Sequence, residues 1–270
     1  MTNRKTNSLP SLLKNIYVIL CHTSHPGNIG SAARAMKTMG LSQLILVSPN
    51  IIATSQTPNP PLFDRNNPDT FTIPEESFIL ASGAKDILTQ AQFFSTLDEA
   101  IKPMHLTCAL SSRKREISAP LQSPREIMPE IIQFAQNEQK IAFIFGSETF
   151  GLNIEEVSLC NRLITINGNP DYFSLNLAQT VQVVAYELFS QLNHPITSLK
   201  QYPNLSTRKE VLGLVEHFEV TMQEIGFFEK RNKKRLMRRI QRMIDKSNIE
   251  KEEIDILRGF LNLVSHKTKL

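Results

Sequence analysis

IAFIFGSETFGL, residues 141–152, is the stretch of this sequence that decides its fold. Its first five residues are apolar and end at a glycine, a pattern typical of a strand that is buried on both faces of a parallel sheet. A second apolar run, Leu163–Ile166, ends in the turn-rich segment Asn167–Asp171, and a helix with an apolar stripe continues to Leu192. Because ligands of open α/β sheets bind at the carboxyl ends of the strands, these two loops predict a site.

The residues before this stretch also alternate between strands and helices. Ile16–Leu20 and Leu44–Val47 predict strands on either side of a helix that ends at Gly40, which makes a parallel βαβ unit. The proline-rich residues 48–77 predict a surface excursion, after which strand and helix signals resume. The alternation as a whole predicts a doubly wound or related α/β domain with a parallel sheet.

Changes in composition along the chain predict four regions. Residues 1–14 resemble a flexible tail, and residues 15–192 form the α/β domain. Residues 193–207, which contain prolines and several Ser and Asn residues, predict a linker. Residues 208–270 have only helical periodicity and predict an all-helical C-terminal extension.

The second helix of this extension is strongly basic. Residues 230–246 contain nine Lys or Arg residues, and Asp245 is the only acid among them. Such a charge run suits a nucleic-acid backbone, although it is also compatible with a solvated helix face. A membrane-surface helix is disfavoured because the apolar stripe is thin and lacks bulky aromatic residues. The candidate RNA contacts on this helix are Arg235, Arg238, Arg239 and Arg242.

Composition excludes several other classes of protein. The chain has 270 residues and a formal net charge of +4. Its three cysteines, Cys21, Cys108 and Cys160, are far apart, which argues against a disulfide framework or a zinc knuckle and predicts a reducing, cytoplasmic location. We expect neither a signal peptide nor a membrane span, because no apolar run is long enough. His22 and His25 lie beside Cys21, but no second cluster completes a metal site, so no metal is predicted.

The first strand-to-helix turn, PGNIGSAAR at residues 26–34, combines two glycines with an arginine. The glycines would let a ligand approach the backbone, and the helix N-terminus would favour an anion. The turn is neither a GxGxxG fingerprint nor a P-loop. Arg34 is predicted one turn into the helix, where it could contact a phosphate or remain a solvated surface residue.

Three segments together resemble the ordered motifs of the SpoU-type RNA ribose 2′-O-methyltransferases of the SPOUT superfamily. They are NIGSAARA (residues 28–35), FGSE with GL (145–148 and 151–152) and SLNLA (174–178). Each motif alone is weak, because a turn or a helix cap explains it better, but three in this order are specific. The resemblance covers residues 15–192. Within the family, the chain is most similar to enzymes that methylate the ribose of nucleotide 32 in tRNA.

This resemblance implies a parallel sheet whose C-terminal part forms a trefoil knot, with S-adenosylmethionine bound by the knot loops. The implied cofactor-binding residues are Leu110, Ser111, Ser112, Gly146, Ile166, Phe173, Leu175 and Asn176. The implied assembly is a homodimer, with each site near the partner subunit and with the apolar stripe of helix 174–192 available for burial.

The resemblance also implies the catalytic set Asn28, Arg34, Glu148, Ser174 and Asn176. Proposals for the family make the arginine at position 34 the base. Because arginine stays protonated in proteins, a clamp that binds phosphate and polarises the 2′-oxygen is the simpler role. Arg113 and Arg115 follow the cofactor loop and are candidates to bind the RNA backbone.

Two alternatives remain open at the level of sequence. The chain could methylate another tRNA or rRNA ribose, or it could be an RNA-binding protein that keeps the fold without catalysis. The sequence does not determine whether cytidine, uridine or both are the substrate.

Overall fold

The computed structural model describes residues 11–111, 121–169, 171–172, 174–192, 204–228 and 232–268. Its seven-stranded sheet has the order β3-β2-β1-β6-β4-β7-β5, and every neighbouring pair is parallel. The strands are β1 Ile16–Cys21, β2 Gln43–Val47, β3 Gln92–Phe94, β4 Leu106–Leu110, β5 Leu121–Gln122, β6 Ile141–Phe145 and β7 Arg162–Ile164. The predicted parallel α/β sheet is therefore confirmed.

Ten α-helices lie in the described part of the chain. They are α1 Pro26–Thr38, α2 Glu75–Ala81, α3 Lys85–Thr89, α4 Leu97–Ile101, α5 Pro124–Gln136, α6 Ile154–Ser158, α7 Leu177–Gln191, α8 Arg208–Glu224, α9 Lys233–Ser247 and α10 Lys251–Thr268. None of these helices combines the length and the hydrophobicity that a membrane span requires.

Three local features differ from the prediction. Residues 11–14 were assigned to a tail, whereas Ser11–Asn15 form a 3-10 helix whose Leu13 is buried in the core. Helix α2 begins at Glu75, inside the stretch that was predicted to be a surface excursion, and ends where Ser82 adopts a φ of 52°. Helix α6 was missed because five residues are too few for helical periodicity, although its capping box of Asn153 and Glu156 was visible in the sequence.

The sheet is covered on both faces, and α7 belongs to the larger of the two cores. Its Val181, Val184 and Leu188 are at most 2% exposed and pack with residues of α1 and α5. The expectation that this stripe is available to a partner subunit is therefore wrong. An apolar stripe is equally suited to an interface and to a core, and only the packing distinguishes the two.

The glycine at position 30 determines how closely α1 and α2 pack. A Cβ atom at Gly30 would lie 2.0 Å from the backbone oxygen of Ser77, which is shorter than the van der Waals radii of the two atoms permit. The Ser77 hydroxyl also donates a hydrogen bond of 2.7 Å to the carbonyl of Pro26. Gly30 thus serves helix packing, and the prediction that it lets a ligand approach the backbone is wrong.

We expect Gly30→Ala to lower the free energy of unfolding by about 2 kcal/mol or more, because backbone atoms must move to admit the methyl group. Chemical denaturation provides the measurement. Gly83→Ala is the matched control, since a Cβ at Gly83 meets nothing within 4 Å, and its effect should be small. Equal stabilities of the two variants would show that α1 and α2 tolerate a wider separation.

The C-terminal extension has a small apolar core of its own. Val211, Leu214 and Val215 of α8 pack against Met237, Ile240 and Ile244 of α9, and Ile254 and Leu261 of α10 complete the cluster. The extension nevertheless contacts the α/β domain through its backbone. The amide of Arg208 donates to the carbonyl of Met104 at 2.7 Å, and the amide of Lys209 donates to that of Lys102 at 3.3 Å.

Candidate active site

A cavity of about 350 Å³ opens where the carboxyl ends of β4, β6 and β7 meet. Leu110, Phe145 and Ile164, the last residues of these strands, form part of its wall. The loops that follow the strands contribute Ser111, Gly146, Glu148, Ile166, Ser174 and Leu175, among others. The structure therefore brings together five of the predicted cofactor residues, from three separate segments of the chain.

The loop after β6 depends on two glycines. A Cβ atom at Gly146 would lie 2.1 Å from the backbone of Gly151 and Leu152, so only glycine fits. Gly151 has a φ of +66°, in the left-handed region that favours glycine. Its amide donates to the Ser147 carbonyl at 2.9 Å, and the Ser147 hydroxyl accepts from the amide of Phe150 at 3.3 Å. The side chain of Ser147 therefore supports the turn.

The carboxylate of Glu148 ties this loop to the start of α1. Oε2 accepts hydrogen bonds from the amide and the hydroxyl of Ser24, at 3.0 and 2.9 Å. Oε1 accepts from the Nδ2 of Asn28 at 2.9 Å and from the amide of His25 at 3.3 Å. Four donors from one turn thus surround one carboxylate. Ser24 was not among the predicted site residues, since its only signal in the sequence was its place in the polar turn after β1.

Asn28 also joins this cluster to the third motif. The Nδ2 of Asn176 donates to the Oδ1 of Asn28 at 2.9 Å. The Oδ1 of Asn176 accepts from the amide of Ala178 at 2.9 Å and so caps α7. One hydrogen-bonded chain, Glu148–Asn28–Asn176, therefore connects all three motifs, although the residues are up to 148 positions apart.

Burial works to raise the pKa of Glu148, but the hydrogen bonds from Asn28 and Ser24 outweigh it and hold the pKa below its ordinary value. The side chain is therefore ionised near neutral pH, with its oxygens occupied by donors. A carboxylate in this state is a poor proton acceptor for a substrate. The geometry favours a positioning role for Glu148 over that of a general base.

Because the pKa of Glu148 is lower in the folded state, its contribution to stability is present above the ordinary value of 4.5 and is lost as the pH falls through the folded pKa. We expect Glu148→Gln to be less stable than the parent at pH 7. The side-chain amide of glutamine would place an N–H donor against the N–H and O–H donors of Ser24. The difference should shrink as the pH falls below about 4.5 in thermal unfolding. Glu155→Gln, at an exposed carboxylate, is the control and should leave the pH profile unchanged.

Arg34 lies farther from the turn than predicted. Helix α1 begins at Pro26, so Arg34 is two turns along the helix and not one. Its side chain is exposed, and it is absent from the wall of the cavity. Arg34 is therefore not part of the site that the other motif residues form in this chain.

Other predicted residues have different outcomes. Ser112, Phe173, Arg113 and Arg115 lie outside the described residues. On α9, Arg235 and Arg239 are exposed, whereas Arg238 and Arg242 are partly buried.

His22 is paired with a carboxylate. Its Nε2 lies 2.8 Å from the Oε1 of Glu156, and this hydrogen bond raises the pKa of the imidazole. Across the described ranges, no three His, Cys, Asp or Glu side chains cluster as metal ligands would.

Comparison with known families defines the class of protein. Residues 66–186 match the SpoU rRNA Methylase family, and residues 209–270 match the C-terminal domain of the tRNA methyltransferase TrmJ. A methylase family protein from Neisseria gonorrhoeae has a solved structure that is 57% identical, with a TM-score of 0.73, covering 78% of this chain and 97% of that one. The fold is thus that of a SpoU-type methyltransferase.

Relatives that match nearly the whole chain identify the family within this class. TrmJ of Salmonella typhimurium, a tRNA (cytidine/uridine-2′-O-)-methyltransferase, is 35% identical over 96% of this chain and 99% of its own. The structure of TrmJ from Z. mobilis ZM4 is 29% identical, with a TM-score of 0.73, covering 92% and 98% of the two chains. The chain belongs to the TrmJ family of tRNA methyltransferases, and the resemblance found in its three motifs is confirmed.

Proposed function

We propose that this protein transfers a methyl group from S-adenosylmethionine to the ribose 2′-hydroxyl of nucleotide 32, a cytidine or a uridine, in the anticodon loop of tRNA. The observation that carries the proposal is the hydrogen-bonded chain Glu148–Asn28–Asn176 beside the cavity. These hydrogen bonds join the three family motifs. The relatives that match this protein over nearly its full length are tRNA (cytidine/uridine-2′-O-)-methyltransferases.

The cavity is suited to the cofactor in size and in lining. Its volume of about 350 Å³ lies in the range of small-molecule sites. Leu110, Ile166 and Leu175 offer apolar contacts, and Ser111 with the backbone around Gly146 offers polar ones. Ser112, Phe173 and Asn176 complete the proposed set. When bound there, the sulfonium of the cofactor supplies the methyl group.

The remaining roles follow from charge and position. Glu148, ionised and surrounded by donors, holds the turn from Ser24 to Asn28 in place. Asn28 and Asn176 fix the start of α7, so that Ser174 faces the cavity and can orient the ribose. Arg34 clamps RNA oxygens and polarises the 2′-hydroxyl, because a guanidinium donates hydrogen bonds and stays protonated.

Since Arg34 does not line the cavity of its own protomer, we propose that it serves the cavity of a partner in a homodimer. Two large apolar side chains that line the cavity are exposed: Phe150 is 77% exposed and Leu175 44%. Exposed apolar groups of this size suit a subunit interface. Sedimentation should detect a stable dimer, and a fully active monomer would contradict this assembly.

The order of the strands supports a knotted chain. Strand β6 lies between β1 and β4, so the chain after β4 returns to the middle of the sheet before β7 forms on the far side. We propose that the C-terminal part of the α/β domain is tied into a trefoil knot. A cytoplasmic enzyme fits this picture, with residues 15–192 as catalytic domain, 193–207 as linker and 208–270 as the tRNA-binding extension.

The deciding experiment uses purified protein, cofactor and an unmodified tRNA, followed by nucleoside mass spectrometry. We expect a single 2′-O-methylated nucleotide at position 32. A tRNA with 2′-deoxyribose at that position is the matched control and should not react. Methylation of a different nucleotide would show that nucleotide 32 is not the substrate. An absence of product, together with no thermal stabilisation by S-adenosylhomocysteine, would favour a non-catalytic RNA-binding protein.

A further inference from the structure

Asp245 is the only acidic residue in the basic helix α9, and it is buried. Its exposed fraction is 8%, and its Oδ1 accepts a hydrogen bond from the Nη1 of Arg208, which is only 1% exposed. Arg208 is the first residue of α8 and the largest fully buried side chain among the described residues. A buried acid and base of this kind differ from the exposed pairs elsewhere in the extension.

The pair lies against the α/β domain. The Nδ2 of Asn161, just before β7, is 3.5 Å from the Oδ1 of Asp245, and the Nη1 of Arg162 donates to the backbone oxygen of Asp245 at 3.4 Å. The Nη2 of Arg162 donates to the Oδ1 of Asn248 at 2.6 Å. Arg162 is also held by Glu130 of α5 through two hydrogen bonds, at 3.3 and 2.7 Å. Arg162, on the α/β side of this contact, is therefore itself held in place by the sheet and by α5.

This contact sets the rotation of α9 about its axis. Asp245 faces the amino ends of β4 and β7, while Met237, Ile240 and Ile244 face the core of the extension. Arg235, Arg239 and Lys246 then face solvent. Gln241 adds a hydrogen bond of 3.2 Å from its Nε2 to the carbonyl of Ser158.

Stability alone does not account for the pair. The Nε and Nη2 of Arg208 are buried without a hydrogen-bond partner among the described residues. Apolar side chains of similar volume often replace a buried ion pair without loss of stability, whereas such a pair can specify one arrangement over others. An acid in the last turn of a helix proposed to bind tRNA also weakens the attraction of that helix for phosphate, so its presence requires another reason.

We propose that Asp245, paired with Arg208 and held by Asn161 and Arg162, is a positioning residue that fixes the basic helix on the α/β domain, so that bound tRNA is presented to the catalytic cavity in one register. The inference rests on the proposed function of the protein. The extension then contributes a fixed orientation of the basic helix as well as its positive charge.

The test is Asp245→Asn in the full-length protein, assayed well below the unfolding temperature of the variant. We expect the turnover number at saturating tRNA to fall about tenfold or more, as happens when substrate is misplaced by a distant mutation. The affinity for tRNA, measured by equilibrium binding, should be unchanged or tighter because one negative charge is gone. Cofactor affinity should be unchanged. If Asp245 only supported folding, its replacement would lower the melting temperature without lowering turnover at an unchanged or tighter tRNA affinity.

Glu219→Gln is the matched control. It removes one acid from the same extension, where Glu219 pairs with Lys233 at 2.9 Å on the exposed surface. Its turnover should equal that of the parent. If Asp245→Asn also retains the parent turnover, or if tRNA affinity and turnover fall together, the proposal is overturned.

A second variant covers the case in which Asp245→Asn does not fold. Arg208→Met/Asp245→Leu leaves no unpaired charge in the interior and should fold with a melting temperature near that of the parent. We expect the same loss of turnover, and parent turnover would refute the proposal. Hydrogen exchange at the amides of Arg208 and Lys209 reports docking without any assay of activity and should be faster in either variant. If the parent itself does not methylate tRNA, the proposed function fails, while these exchange rates still test whether the pair fixes the helix.

Discussion

Replacement of Arg34 by alanine is expected to lower methyl transfer on the order of 100-fold while cofactor affinity stays near that of the parent. A loss of this size is typical when one positioned donor to a reacting oxygen is removed. Cofactor binding should persist because Arg34 does not line the cavity. Turnover is measured with saturating tRNA, and cofactor affinity by calorimetry. Lys37→Ala is the control, because Lys37 is an exposed cation on the same helix that pairs with Asp86 at 2.7 Å.

Equal losses of turnover and cofactor affinity would make Arg34 a structural residue, and no loss would make it a solvated one. Arg34→Lys separates charge from geometry, since lysine keeps the cation but lacks the planar fork. We expect it to restore only part of the activity.

Mixed dimers test whether Arg34 acts on the partner subunit. One subunit would carry Arg34→Ala and the other Gly146→Val, which cannot close the loop around the cavity. If Arg34 acts on the partner, the first subunit keeps a complete cavity and receives the arginine of the second, so activity returns. If Arg34 acts within its own subunit, both sites of the mixed dimer are defective and activity stays absent.

Reversal of the exposed charges on α9 is expected to have the second large effect. Arg235→Glu/Arg239→Glu should weaken tRNA binding by tenfold or more at about 0.15 M salt, because phosphate contacts dominate such binding. The slope of log affinity against log salt should decrease in magnitude by roughly 1.5, which corresponds to two lost contacts. We leave Arg238 and Arg242 unchanged because both are partly buried, so their reversal would also disturb packing.

The control reverses Lys14 and Lys85, two exposed cations of the α/β domain, and so makes the same change in net charge. It should change the salt slope little. Should the α9 variant bind tRNA as the parent does, with the same salt slope, the helix is only a solvated face. Recognition would then lie with Arg34, Arg113 and Arg115.

Several parts of the structure were predictable because they depend on neighbours along the chain. Short apolar runs ending in turn residues predicted β1, β2 and β6, and Gly40 ended α1 with a φ of 78°. The three motifs predicted the family, since each lies where a strand meets a helix. Five-residue α6 and two-residue β5 escaped because neither is long enough to show a period.

The roles of single residues inside those motifs were not predictable in the same way. Gly30 was predicted to admit a ligand, yet it admits Ser77 from another helix. The apolar stripe of α7 was predicted to meet a partner subunit, yet it fills the core of its own. In both cases the residue type was compatible with either role, and the element packed against it decided between them.

The sequence by itself determined the parallel sheet, the family and the position of a cavity at the strand ends, because each of these follows from local patterns of apolar runs, glycines and caps. Only the tertiary structure decided that Glu148 is an ionised anchor, since its four donors lie at least 120 residues away in the chain. The same holds for Asp245, whose partner Arg208 is 37 residues away. The physical reason is that burial and hydrogen bonding set the state of a charged side chain, and both arise from residues that only folding brings together.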